Sequence, residues 1–190
     1  AALASGDFER LRAVAAPSGS GDFTEDALSP MFALYRESAA FRQQTAQLAD
    51  EGSPCLHVEK RGGFPFSTYR VLVDTCELDV STNVAGASVT AGDAQTESVP
   101  VESADIADSA GYTPDASNLV RAEAKFDALY PGLYDLDISY TSSAGQSFEK
   151  STSVNLMQPT QLSLDLDYTS LYVWNSSSIS VDLSIDGAYY

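Results

Sequence analysis

The sequence predicts a mainly β protein, an antiparallel β-sandwich with α-helices at its N-terminal end. Two observations carry that expectation for the sheets. After Pro54 the apolar period becomes two, and clusters of Gly, Pro, Ser and Asn recur at short intervals, as turns between short strands require. Near the C-terminus the alternation is regular. Tyr134, Leu136, Ile138 and Tyr140 alternate with Asp135, Asp137 and Ser139; Leu162, Leu164, Leu166 and Tyr168 alternate with Ser163, Asp165 and Asp167. Ile179, Val181, Leu183 and Ile185 do the same with Ser180, Asp182, Ser184 and Asp186. Such a period places one face of each strand in a core and the other in water.

The third observation is the helical spacing that precedes Pro54. Ser5-Gly6-Asp7 offers N-cap chemistry to a short helix carrying Phe8, Leu11 and Val14, which Pro17 should end. Residues Ser18 to Asp22 read as a flexible connector. A longer helix is expected to begin with Ser29 as N-cap and Pro30 in its first turn. It carries Met31, Leu34, Phe41 and Leu48 on one stripe and stops at Gly52 and Pro54. The expected division is therefore a helical segment over 1–52 and a β domain over 53–190. Between roughly Ala91 and Asn118 the pattern weakens, which predicts a long loop or an edge segment.

Composition limits function more than it defines it. The 190 residues carry 27 acids and 10 bases, a net charge of −17, so phosphate backbones and anionic bilayers are repelled over most of the surface. Nucleic acid is excluded as an expected partner. Charge is also unevenly placed: residues 1–70 hold nine acids and seven bases, whereas 71–190 hold eighteen acids and only Arg121, Lys125 and Lys150. A basic region of one copy could thus meet the acidic body of the next, against the simpler reading of a solvated acidic surface. No apolar run approaches the roughly 18 residues needed to span a bilayer. The opening AALASGDF reads either as a trimmed start or as a mature end left after small-residue cleavage. Secretion or a cell-envelope location is the expectation.

The stretch from Cys55 to Cys76, CLHVEKRGGFPFSTYRVLVDTC, contains both cysteines and the single histidine. If the cysteines face each other across a hairpin, Gly63 opposes Thr68 around a Phe64-Pro65-Phe66-Ser67 loop. Val58 then pairs with Val73, Lys60 with Val71, Leu56 with Thr75, Gly62 with Tyr69 and His57 with Asp74. This register sorts an apolar face from a polar one. A Cys55–Cys76 disulfide is the economical reading, worth about 3 kcal/mol by loop closure. A cysteine nucleophile with His57 as its base would need a free thiolate that the second thiol should consume. Zinc held by Cys55, Cys76, His57 and Asp74 has suitable donors, but a flat hairpin does not readily wrap a tetrahedron.

The hairpin tip, Lys60 and Arg61 followed by Phe64 and Phe66, is where basic and aromatic residues concentrate, with Arg70 nearby. Such a loop can stack on sugars or plug a partner's groove, or else fold its rings back onto the core. Trp174 beside Tyr172 is a second sugar-platform candidate, although a strand tryptophan is more often core. The aspartates at 135, 137, 165, 167, 182 and 186 would crowd like charges if their strands are neighbours. That makes Asp135, Asp137, Asp165 and Asp167 weak calcium candidates. No EF-hand loop, phosphate-binding glycine loop or hydrolase motif is present, and no cofactor is expected. Asn175-Ser176-Ser177 is a glycosylation sequon, meaningful only in a eukaryotic secretory host.

Two fragments add a resemblance. Val84-Ala85-Gly86-Ala87-Ser88-Val89-Thr90 and Phe126-Asp127-Ala128-Leu129-Tyr130-Pro131-Gly132-Leu133-Tyr134-Asp135-Leu136 resemble the early "GA.V" strand and the later "L-x-P-G-x-Y-x-L" turn of carboxypeptidase-regulatory or transthyretin-like modules. These are similar to the B-type repeats of Gram-positive surface adhesins. The resemblance spans about Arg70 to Tyr168. It implies an Ig-like or transthyretin-like sandwich and a non-catalytic spacer, adhesive or assembly role, with self-association or other envelope proteins as partners. The rival expectations are a carbohydrate-binding accessory module that recognises glycans and a secreted hydrolase with an unrecognised carboxylate site.

Overall fold

The computed structural model describes residues 2–19, 22–48, 52–62, 67–101, 122–143 and 145–167, together with the backbone of 184–185 and 188–189. The chain is mainly β, with several sheets and a few short helices. A helical turn α1 (Ala2–Ser5) precedes α2 (Phe8–Val14). Asp7 caps α2 as its residue type predicts, its carboxylate accepting the Arg10 N–H at 3.0 Å. Pro17 acts earlier than expected. Proline drives the residue before it into extended backbone, and the helix stops at Val14, leaving that side chain 51% exposed. Ala15–Pro17 become the short strand β1.

The next helix also starts elsewhere than the proline suggested. Helix α3 (Glu25–Glu37) is capped by Thr24, whose hydroxyl accepts the Ala27 N–H, and Glu25 and Asp26 place negative charge at its positive end. Ser29 is therefore not the cap, and Pro30 lies inside the helix. The cost of a helix proline is accepted where α3 meets the sheet: a Cβ placed on Gly132 would stand 2.5 Å from the Pro30 Cβ. Ser38 then ends α3 and starts α4 (Ala39–Ala46), donating its N–H to Leu34 O and accepting from Phe41 N. Arg42 seals the break by donating to the carbonyls of Tyr35 and Arg36. The predicted single helix is thus two, yet its stripe of Met31, Leu34, Phe41 and Leu48 is buried as the spacing required.

Three strands follow the pattern of the central hairpin. β2 (Leu56–Arg61) and β3 (Thr68–Val73) are antiparallel, and β1 adds to β3 in parallel. The register is Leu56 with Val73 and Val58 with Val71, two residues away from the one inferred from facing cysteines. A shift of two leaves every side chain on its predicted face. It also moves Thr75 and Cys76 out of the hairpin: Cys76 opens β4 (Cys76–Thr82), a strand of another sheet.

The remaining strands are β5 (Ser88–Ala91), β6 (Ala94–Glu97), β7 (Val99–Pro100), β8 (Ala122–Leu129), β9 (Gly132–Thr141), β10 (Ser147–Leu156) and β11 (Thr160–Ser163). They form two four-stranded sheets, in the orders β10-β9-β5-β6 and β11-β4-β8-β7. The weakly patterned stretch after Ala91 supplies the edges of both, β6 and β7; its remainder lies outside the described residues. Ser98 sits where the chain leaves one sheet for the other. Its buried hydroxyl donates to Val84 O and accepts the Ala87 N–H, so a polar group is tolerated there. A last pair, β12 (Ser184–Ile185) and β13 (Ala188–Tyr189), is antiparallel.

Two hydrophobic clusters result. The larger takes Leu78, Val80 and Phe126 from one sheet and Val89, Leu136 and Ile138 from the other. The smaller joins Leu11, Leu28, Met31, Leu34 and Phe41 of the helices to Leu56 and Val73 of the hairpin and to Tyr130, so it draws on both sides of position 52. The Tyr134–Tyr140 alternation is realised as drawn, with Tyr134, Leu136 and Ile138 buried and Asp135, Asp137 and Ser139 exposed. Leu164 and Leu166 are buried between exposed Asp165 and Asp167, while Tyr168 and most of the 179–186 row lie outside the described residues.

The Pro30–Gly132 contact sets the distance between helix and sheet. Gly132→Ala is expected to lower stability by about 1–3 kcal/mol, the usual cost of overpacking, read as a lower urea midpoint with an unchanged slope.

Candidate functional site

The cysteine question resolves at the seam between the two clusters. Cys55 and Cys76 are bonded to each other, with Cα atoms 6.1 Å apart and exposures of 1% and 0%. Both thiols of the chain are consumed, so neither a cysteine nucleophile nor a thiolate-bound zinc can be built from them. Because Cys76 belongs to β4, the bridge ties the base of the hairpin to a neighbouring sheet; it does not pin the hairpin's two strands together.

His57 and Asp74 do meet, although the register places Leu72 opposite His57. Asp74 lies diagonally, where a side chain can still reach, and its Oδ2 is 2.8 Å from His57 Nδ1. The other carboxylate oxygen accepts the Ser18 hydroxyl. The chain of contacts is therefore serine to aspartate to histidine. A hydroxyl activated for attack must face the imidazole; here it faces the carboxylate. The arrangement instead ties the segment after β1 to the end of β3, beside the Ser18 N–H bond to Val73 O.

The basic hairpin end is only partly free. Lys60 and Arg61 are exposed at the end of β2, and Arg61 pairs with Glu59 at 2.7 Å. Arg70 is half-buried and donates to Ala15 O, holding β1 in place. Beside Lys60 in the register stands Tyr69, 65% exposed, rather than beside Gly62 as the facing-cysteine register had it. Phe64, Phe66, Trp174 and Asn175 lie outside the described residues.

The expected acidic ladder is interrupted. Asp137 lies between Thr90 and Ser151 on its neighbouring strands and accepts the Ser151 hydroxyl, while Asp135 faces Ser153. Asp165 and Asp167 follow β11 in the other sheet, where Lys150 donates to the Asp165 carbonyl. Hydroxyl residues stand opposite Asp135 and Asp137 of β9, while Asp182 and Asp186 lie outside the described residues. Among the described residues no group of three or more His, Cys, Asp or Glu is placed to hold a metal ion, and no helix is long and apolar enough to cross a membrane.

The sequence did not point to the corner between β8 and β9. There Tyr134 Oη donates to Tyr130 O at 2.8 Å, and its ring packs over Gly92 and Gly132. Tyr130 is itself 95% buried, its ring meeting Phe23 edge-on at 5.9 Å, and its own hydroxyl has no hydrogen-bond partner among the described residues. Burial raises the Tyr130 phenol above the usual range, and the Asp22 carboxylate adds to it. Burial, reinforced by Tyr130, raises Tyr134 further. Tyr130 lines two adjoining clefts. One, of about 540 Å³, is bounded by Asp22, Asp26, Pro30, Asp93 and Tyr134. The other, of about 360 Å³, is bounded by Ser18, Val73 and Asp74. Tyr130-Pro131-Gly132 was legible as a turn, but the carboxylates at 22, 26 and 93 come from three separate loops and helix starts, which no linear spacing reveals.

Comparison of the chain with protein-family models, curated proteins and solved structures found no match.

Cys55→Ser/Cys76→Ser, or a reductant acting on the native chain, is expected to lower unfolding stability by about 3 kcal/mol, and titration of the unreduced, denatured protein should find no free thiol. An alkaline effect follows from the buried phenols. Their raised folded values mean that the unfolded chain ionises first, above about pH 10, so their contribution is intact below that pH and falls as pH rises. Tyr134→Phe should flatten this alkaline decline while costing about 1–2 kcal/mol at neutral pH for the lost hydrogen bond, both read from denaturant midpoints.

Proposed function

We propose that this chain is a non-catalytic structural or adhesive subunit of an extracytoplasmic assembly, built on an Ig-like or transthyretin-like sandwich. The observation that carries the reading is the spent chemistry of the Cys55–Cys76 stretch. Both sulfurs form a buried bridge, and the Ser18 hydroxyl donates to the carboxylate that holds the histidine. A disulfide as a structural staple belongs to oxidising compartments, which supports placement outside the cytoplasm.

The strand order supports the sandwich type. With β4, β8 and β7 adjacent in one sheet and β10, β9, β5 and β6 in the other, the arrangement matches the B-E-D and G-F-C-C′ orders of Ig-type Greek keys. The Tyr134 hydroxyl bonded to Tyr130 O at the start of β9 resembles the tyrosine corner that such folds place at the same turn. Two features depart from that pattern. Strand β11 lies parallel to β4 at the sheet edge, and the disulfide leaves the sandwich for the hairpin.

Charge supports assembly. Lys60, Arg61 and the exposed Tyr69 stand at one end of the hairpin, while both sheets expose carboxylates. Contacts of this kind form fastest at low salt and weaken as the screening length shrinks. Light scattering and negative-stain microscopy are expected to find assemblies that grow with protein concentration and shrink with added salt, and Lys60→Glu/Arg61→Glu should weaken them. A strict monomer at every concentration and ionic strength would overturn the reading.

A further inference from the structure

The larger cleft beside Tyr130 has no part in the reading above, and we propose that it is a binding site for an alkylammonium group, the end group of a lysine side chain or of a small aliphatic amine. Its rim carries Asp22, Asp26 and Asp93, all exposed, and among the described residues no Lys, Arg or His lines it. None of the three has an ion-pair partner among the described residues. A cation entering the opening meets negative charge on several sides.

A second feature, independent of charge, points to a hydrogen-bonding ligand. Tyr130 lines the cleft with only 5% of its surface exposed, and its hydroxyl is a buried group without a hydrogen bond. The neighbouring Tyr134 hydroxyl gives its proton to Tyr130 O. Buried polar groups are normally satisfied, and an ammonium can donate to a phenol oxygen while its remaining protons face carboxylates. The rings of Tyr130 and Tyr134 add aromatic surface that attracts cations.

Size and chemistry select the ligand class. At about 540 Å³ the cleft far exceeds a bare ion, and no three acidic side chains among the described residues stand close enough to hold a metal. Ala27, Pro30 and Leu129 line it with apolar surface suited to the methylene stem behind an amine. The site lies among α3, the β5–β6 turn and the β8–β9 corner, so it exists only in the folded chain.

The test is an amide NMR titration of the full chain with the diamine cadaverine at fixed ionic strength. Saturable shifts confined to Thr75, Gly92, Asp93 and Ala128 are expected. Asp26→Asn/Asp93→Asn should bind about tenfold more weakly or worse, the loss of charge-assisted hydrogen bonds. Tyr130→Phe gives a readout that a structural role would not: it should raise the thermal midpoint, because an unpartnered hydroxyl is removed, yet weaken the amine severalfold. Shifts that never saturate, shifts spread over Asp135 and Asp137, or unchanged affinity in either variant would overturn the site. Concentration-dependent shifts of the same amides that disappear in Lys60→Gln would support the site with a second copy as the source. Amine-only shifts, independent of protein concentration, would support it with a free amine as the source.

Discussion

The bond between Cys55 and Cys76 is the constraint around which the rest of the molecule is arranged, because it fastens the base of the hairpin to the first strand of the neighbouring sheet. Both sulfurs lie in the larger cluster, while Leu56 and Val73, next to the bridge in the hairpin, lie in the smaller one. The Asp74 N–H bond to Cys55 O runs alongside it. Without the link, the helices and hairpin would hold to the sheets by packing alone, and closing the loop in the unfolded chain reduces the entropy that such docking must overcome. The staple therefore acts between layers.

The second attachment is steric. Pro30 of α3 meets Gly132 at the start of β9, a contact that leaves no room for a Cβ. Around it the chain changes sheet through Tyr130-Pro131-Gly132, with Tyr130 in the smaller cluster and Tyr134 in the larger. The hydroxyl of one tyrosine serves the backbone of the other, while the second hydroxyl is left without a partner. A junction that holds helix, hairpin and sheet together also creates the acidic clefts. Structure and candidate recognition thus arise from the same few residues.

Much of this was legible along the chain. Period-two runs such as Tyr134–Tyr140 named their buried and exposed faces because a strand side chain has only two directions. The disulfide was legible from two cysteines and the absence of a third. The hairpin register was not. Assuming that the cysteines belonged to paired strands displaced it by two residues, whereas Cys76 had already entered the next sheet. The helix start was misplaced for a related reason. Proline at position 30 satisfies a local rule for first turns, but the Thr24 cap with Glu25 and Asp26 is stronger, and contact with Gly132 tolerates the proline inside.

By itself the sequence determined the two faces of runs such as Tyr134–Ile138, the strongly anionic composition, the helical character of the N-terminal part and the sulfur bridge, since all of these follow from periodicity, composition and count. Only the tertiary structure decided what the bridge connects, that β11 runs parallel beside β4, and that Asp22, Asp26 and Asp93 line one cleft with a buried tyrosine. Those facts depend on the meeting of segments far apart in the chain, and such meetings are selected by packing geometry that no local spacing encodes.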